Sequence, residues 1–258
     1  MALRFSPGLT NFIAVNGSWK DFLDEGSIEI YTGTQPATAD LAVTGTLLAT
    51  ITSSAGAKTA EVRATGSVTL TGGASGSVDT LTVNSVEVMG SATSFDTTLT
   101  QTATNIALKI NRNPKNKDVV ASASGAVITL TAQPGMGTLP NGWVVASTVT
   151  TITKTDANMA SGVSSVNGLK MDYNAAAGVF TKDSTQTWSG TAGATGTAGW
   201  FRYKGSIADA GALDSAALYL RMDGNIATSG ANLNMSSTSI TSGALQTLST
   251  FSLTIPAA

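Results

Sequence analysis

Cysteine and histidine are both missing from this 258-residue chain. Without cysteine there is no disulfide framework, no thiolate metal site and no thiol nucleophile. Without histidine there is no imidazole zinc ligand and no Ser-His-Asp triad. Charge is scarce too: 16 acidic and 14 basic residues make up 12% of the chain, for a formal net charge of -2. That balance excludes a broadly basic nucleic-acid binder and an acidic tail. Aromatic residues reach only 6%. No run of 18 apolar residues occurs, so no membrane-spanning helix is expected. The run Phe12-Ile-Ala-Val15 is too short for the apolar region of a signal peptide, which predicts a soluble product made in the cytoplasm.

What fills the chain instead is small and suited to strands. Roughly a quarter of it is Thr or Ser, 27 residues are Gly, and mean hydropathy is +0.16. Low charge with positive hydropathy argues against disorder, and β-branched side chains fit a pleated surface. The fold class expected is mainly β: an antiparallel β-sandwich with an inserted small α+β module containing one amphipathic helix. Residues 1–63 and 154–258 would form the discontinuous outer sandwich and residues 64–153 the insertion.

In the first block a short helix or turn is expected near Ser18–Asp24, stopped by Gly26. Ile28 and Ile30 then alternate with Glu29 and Tyr31 in a half-buried strand, and Thr46–Ile51 makes a second. The middle block alternates at Val68/Leu70, Leu81/Val83 and Val86/Val88. Leu99, Ala103, Ile106, Ala107 and Ile110 form one apolar stripe on a helix of about four turns, with Asp96 read as its N-cap. Lys109 and Arg112 complement the last turn, and Pro114 ends it. This is the only helix with a strong signal. The last block reads as strands at Leu169–Tyr173, Thr185–Trp188, Thr197–Lys204, Ala217–Met222 and Leu245–Ile255. Asn167-Gly168 and Asp223-Gly224 are hairpin-type dipeptides. In Gly199–Lys204, Trp200, Arg202 and Lys204 fall on one face and Phe201 and Tyr203 on the other, which suits a central strand. Arg202 should then snorkel or pair with a carboxylate.

Paired carboxylates are the one common catalytic device still open. The acids Asp21, Asp24, Glu25, Asp172, Asp183, Asp209, Asp214 and Asp223 are scattered, mostly beside turn residues, and read as turn formers or caps. Gly193, Gly196 and Gly199 lack the context of a phosphate loop and read as a flexible loop feeding a strand. Asn16-Gly-Ser18 and Asn234-Met-Ser236 match glycosylation sequons by chance. Trp19, Trp143, Trp188 and Trp200 read as core anchors, with a sugar platform using Trp143 or Trp188 as the alternative. Lys109, Arg112, Lys115 and Lys117 gather four cations within nine residues without interleaved aromatics, so base stacking is disfavoured. The apolar segment 1–25 should be tied down, on its own core or against a neighbouring chain. Phe5 and Phe12 join the four cations as a candidate assembly surface. No catalytic, cofactor-binding or metal-ligating residue is singled out, and no cofactor is expected.

Several stretches resemble a known family. Leu3-Arg-Phe-Ser-Pro-Gly-Leu-Thr-Asn-Phe12, Gly26-Ser-Ile-Glu-Ile-Tyr-Thr-Gly-Thr-Gln-Pro36 and Gly45-Thr-Leu-Leu-Ala-Thr-Ile51 resemble the opening of tailed-bacteriophage virion structural proteins of the neck, tail or capsid surface. Gly178-Val-Phe-Thr-Lys182, Gly196-Thr-Ala-Gly-Trp-Phe-Arg202 and Met222-Asp-Gly224 agree in the closing half. The middle block, with Thr69-Leu-Thr-Gly-Gly73, Leu81-Thr-Val-Asn84 and Thr102-Ala-Thr-Asn-Ile-Ala107, is similar to a small module inserted in many phage capsid-surface and tail proteins. The resemblance implies a non-enzymatic role in the virion after synthesis in the host cytoplasm. It implies other virion proteins as partners and a homo-oligomer on a symmetric particle; composition separately predicts no membrane contact and disfavours nucleic acid. A carbohydrate-binding adhesin or receptor-binding tail component, contacting polysaccharide, is the alternative.

Overall fold

The computed structural model describes residues 3–15, 17–174 and 178–254. The protein is mainly β and divides into two compact units. The outer unit takes residues up to 14, 18–61 and 165 onward; the middle unit takes 15–17 and 62–164.

The chain begins with β1 (Arg4–Phe5), α1 (Pro7–Val15) and α2 (Trp19–Leu23), then β2 (Ser27–Thr32) and β3 (Leu47–Ser53). The Ser18 hydroxyl accepts from the Asp21 amide while the Asp21 carboxylate accepts from the Ser18 amide, a capping box that starts α2 despite its length. The nine-residue α1 escapes the sequence reading because it opens on Pro7-Gly8, which reads as a turn, and carries no acidic residue in its first turn and no basic residue in its last. Leu9, Phe12 and Phe22 are buried in the outer core, and Leu3, Ile13 and Trp19 pack against it. The N-terminal segment is therefore tied down on its own unit.

The middle unit follows: β4 (Thr65–Gly72), β5 (Ser77–Val83), β6 (Val86–Glu87), β7 (Thr93–Ser94), α3 (Leu99–Arg112), β8 (Val119–Ser124), β9 (Val127–Ala132), β10 (Val145–Thr150) and β11 (Thr153–Ala160). One sheet runs β10-β5-β6, with β7 beside β5, and the other runs β11-β4-β9-β8. The expected stripe faces inward: Ala103, Ile106, Ala107 and Ile110 are buried with Val68, Leu70, Val119, Ile128 and Leu130. The cap is Thr98 rather than Asp96; the Thr98 hydroxyl accepts from the Gln101 amide, and Asp96 instead accepts from the Asn105 side chain. Residues 154–164 were expected in the outer domain, but β11 pairs with β4 from Thr153↔Gly72 to Ala160↔Thr65 and so lies with the middle unit.

The return to the outer unit adds β12 (Met171–Asn174), β13 (Val179–Lys182), β14 (Trp188–Thr191), β15 (Gly196–Lys204) and β16 (Arg221–Ala227). It ends with β17 (Leu233–Asn234), β18 (Ser239–Ile240), β19 (Leu245–Leu248) and β20 (Ser252–Thr254). The large sheet runs β1-β16-β15-β2-β3-β14-β19, with β17 beside β16 and β18 beside β15. A smaller sheet, β12-β13-β20, contributes Met171, Phe180 and Leu253 to the same core, so two layers enclose it. Neighbours are antiparallel except for the short pair β16–β17.

Four strand expectations change. The strand expected at Thr185–Trp188 begins only at Trp188, as β14, and residues 184–187 form the turn before it. Asp223-Gly224 is not a turn; both residues sit inside β16, where Gly224 faces Phe201. Residues 217–220 precede the strand rather than forming it. The stretch from Leu245 divides between two sheets, β19 beside β14 and β20 beside β13; Ile255 lies outside the described residues, as does Asn16 of the first sequon. Gly196 and Gly199 belong to β15, not to a loop. A Cβ at Gly199 would lie 2.0 Å from the Gly33 carbonyl oxygen, so the irregularity between β15 and β2 at that point requires glycine.

Candidate functional site

The pleat of β15 sends Phe201 and Tyr203 into the core, where both rings meet Phe251. Trp200, Arg202 and Lys204 go to the other face. Cross-strand register then aligns three polar ranks over β2, β15 and β16. Ser27 pairs with Lys204 and Lys204 with Arg221; Glu29 with Arg202 and Arg202 with Asp223; Tyr31 with Trp200 and Trp200 with Asn225. Thr50 of β3 extends the second rank from Glu29, and Arg4 of β1 extends it from Asp223.

This face is covered rather than wet. Arg202 and Asp223 are both 0% exposed and form a bidentate pair, with Nε and Nη2 each 2.7 Å from a carboxylate oxygen. A buried charge requires this kind of pairing and hydrogen bonding. Arg202 Nη1 also donates to the Leu41 carbonyl at 3.0 Å. Arg221 grips Asp209 at 2.7 and 2.6 Å and donates to the Asp40 carbonyl at 3.2 Å. The Asp214 carboxylate accepts from the amides of Leu218 and Tyr219. The loops 33–46 and 205–220 are thus fastened to the sheet through its charges. Tyr31 stacks on Trp200 with centroids 4.6 Å apart, and the Arg202 guanidinium lies 5.6 Å from the Trp200 ring centroid.

Burial dominates the titration of this face. It pushes the Asp223 carboxyl up against the pull of Arg202, and it raises the Tyr31 phenol, helped by the hydrogen bond to Glu29. At Asp209 burial also acts upward, but hydrogen bonds from Arg221 and from the Gly211 amide outweigh it and hold the carboxyl below its usual range. Tyr203, on the core face, is raised first by burial and then by the charges of Asp24 and Glu25.

At one margin the polar face opens into a recess of about 260 Å³ lined by Ser27, Glu29, Thr50, Lys58, Lys204 and Asp209, among others. Lys204 Nζ sits 2.7 Å from Glu29 and 3.0 Å from the Asp209 carbonyl. Each carboxylate here already faces a cation, Glu29 with Lys204 and Asp209 with Arg221. The arrangement holds loops and presents one side chain, Lys58, whose amine donates to the Gly205 carbonyl at 2.7 Å. Among the described residues no group of three or more acidic side chains is placed to hold a metal ion.

Comparison with models of protein families and with curated proteins finds no match.

The residues singled out in the sequence are dispersed over both units. Phe5 is 39% exposed and meets Trp19 edge-on at 5.3 Å, on a groove of about 250 Å³ with Leu9 and Ile13. Phe12 is a correction: it is only 8% exposed, because α1 turns it into the outer core, so it offers no assembly surface. Lys109 donates to the Ala92 carbonyl at 2.5 Å, while Arg112, Lys115 and Lys117 are exposed. Asn116 supports their loop, its amide donating to the Ile110 and Val119 carbonyls. Trp188 is 0% exposed and Trp143 packs against the middle core, so the sugar platform loses Trp188 outright. In the sequence Asp209, Asp214 and Asp223 read as turn residues. The available signal was Arg202 and Arg221 in apolar strands, since a buried cation needs an anion brought to it.

Proposed function

We propose that the chain is a non-enzymatic structural component of a tailed-phage particle, at the neck, tail or capsid surface, acting through protein–protein contacts. The observation that carries the reading is the use made of charge in the outer unit. Arg202, Arg221 and Lys204 are each committed to a carboxylate and to loop carbonyls. Such a network fixes loop shape without leaving an acid–base pair facing open space, which suits a protein whose work is to present a surface. The sequence resemblance to virion proteins supports the same reading, and no helix among the described residues is long and apolar enough to cross a membrane. Mass spectrometry of purified particles should detect the chain at a fixed ratio to the other virion proteins. Its absence from intact particles overturns the proposal.

A further inference from the structure

Lys58 differs from the other cations around the recess. Lys204 and Arg221 each hold a carboxylate within 2.8 Å, whereas no carboxylate lies within ion-pair distance of Lys58 among the described residues, and its amine donates to the neutral Gly205 carbonyl. Ser27 and Thr50 line the same recess. Burial, and then the neighbouring charge of Lys204, push the Lys58 amine down to about 8. A half-buried ammonium without a counter-ion gains most from an anion brought to it.

The recess also limits which anion fits. Glu29 and Asp209 line it and repel a second negative charge, so a monoanion is favoured over a dianion. Thr50 and Lys58 are shared with a second recess of about 330 Å³, lined also by Leu47, Leu48 and Thr191. A ligand held at Lys58 therefore has room for a short, partly apolar body on the far side of Thr50.

We propose that Lys58 anchors a binding site for a single carboxylate, carried by a small acid or by an acidic side chain, with the Ser27 and Thr50 hydroxyls as further donors and the ligand body lying toward Leu47 and Thr191. The site stands whether or not the chain is a virion component.

The test is competitive acylation of the full chain with trace acetic anhydride at pH 8 and constant ionic strength, each lysine being quantified by peptide mass spectrometry. Sodium butyrate, an end-blocked Gly-Asp-Gly peptide, inorganic phosphate and sodium chloride are compared. Butyrate or the peptide should protect Lys58 saturably, and protection by one alone identifies the source of the carboxylate. Raising the Lys58 midpoint by one unit cuts its neutral fraction at pH 8 about fivefold, while labelling of Lys170 stays unchanged. Saturation-transfer signals from butyrate or the peptide should vanish in Lys58→Gln and persist in Lys170→Gln. Equal protection by chloride, stronger protection by phosphate, or none by either carboxylate overturns the proposal. The labelling of the unmodified chain decides even where Lys58→Gln fails to fold.

Discussion

Arg202 and Asp223 are both fully buried, and such a pair is far more sensitive to losing one member than to losing both. Removing Asp223 leaves a desolvated guanidinium with no carboxylate, held by the Leu41 carbonyl and the Trp200 ring. Asp223→Ala should cost about 3–5 kcal/mol in chemical denaturation, and Arg202→Met with Asp223→Leu should recover most of that. A single-variant loss below about 1 kcal/mol would mean that water reaches the pair. Lys58 gives the opposite kind of lever. Its folded midpoint, about 8, lies below the 10.5 of the free side chain, so the folded state releases this proton first. Below pH 8 the buried charge opposes folding in full, and the penalty is relieved as pH rises from 8 to 10.5. The stability of the native chain relative to Lys58→Met should therefore climb across that window. A difference flat with pH would show that Lys58 is solvated when folded.

Among the elements, β15 carries the most, since one face anchors the core and the other organises the charges. Phe201→Ala should destabilise the outer unit by about 3–5 kcal/mol, as expected for truncating a buried aromatic; a loss under about 1 kcal/mol in the same denaturation series would contradict its burial. This strand was legible in the sequence because Trp200-Phe-Arg-Tyr-Lys204 alternates cleanly, and α3 was legible because its stripe recurs at helical spacing. The helix α1 was not, since it lacks the charged end residues that mark helix termini, and its apolar face is defined only by the sheet it meets. The segment after Leu245 resisted reading for another reason: a strand signal does not say which sheet will receive it. Nor does spacing reveal that Asp209 lies under Arg221, twelve residues on, because a covering loop forms that pair.

At the level of the whole chain, the long insertion leaves the outer unit at 61/62 and returns at 164/165, while the short stretch 15–17 also groups with the middle unit. Thr59 pairs with Val166 in the outer unit, and Val62 with Val163 in the middle one. The ends of the insertion therefore leave and return side by side, so closing the gap with a short Gly/Ser joint should carry little entropic cost. Residues 62–164 expressed alone, and 1–61 joined to 165–258, should each melt cooperatively in a thermal scan. Failure of both would show that the two share one folding unit. The same connectivity has a mechanical consequence. Arg4 and Phe5 are stitched to β16 and Ser252–Thr254 to β13, so both described ends of the chain are held in the outer unit. Tension applied between those ends acts first on the outer sheets that hold them. Along the chain, segment 62–164 feels no pull until those sheets have opened between residues 61 and 165, so under stretching it should be the last part to unravel.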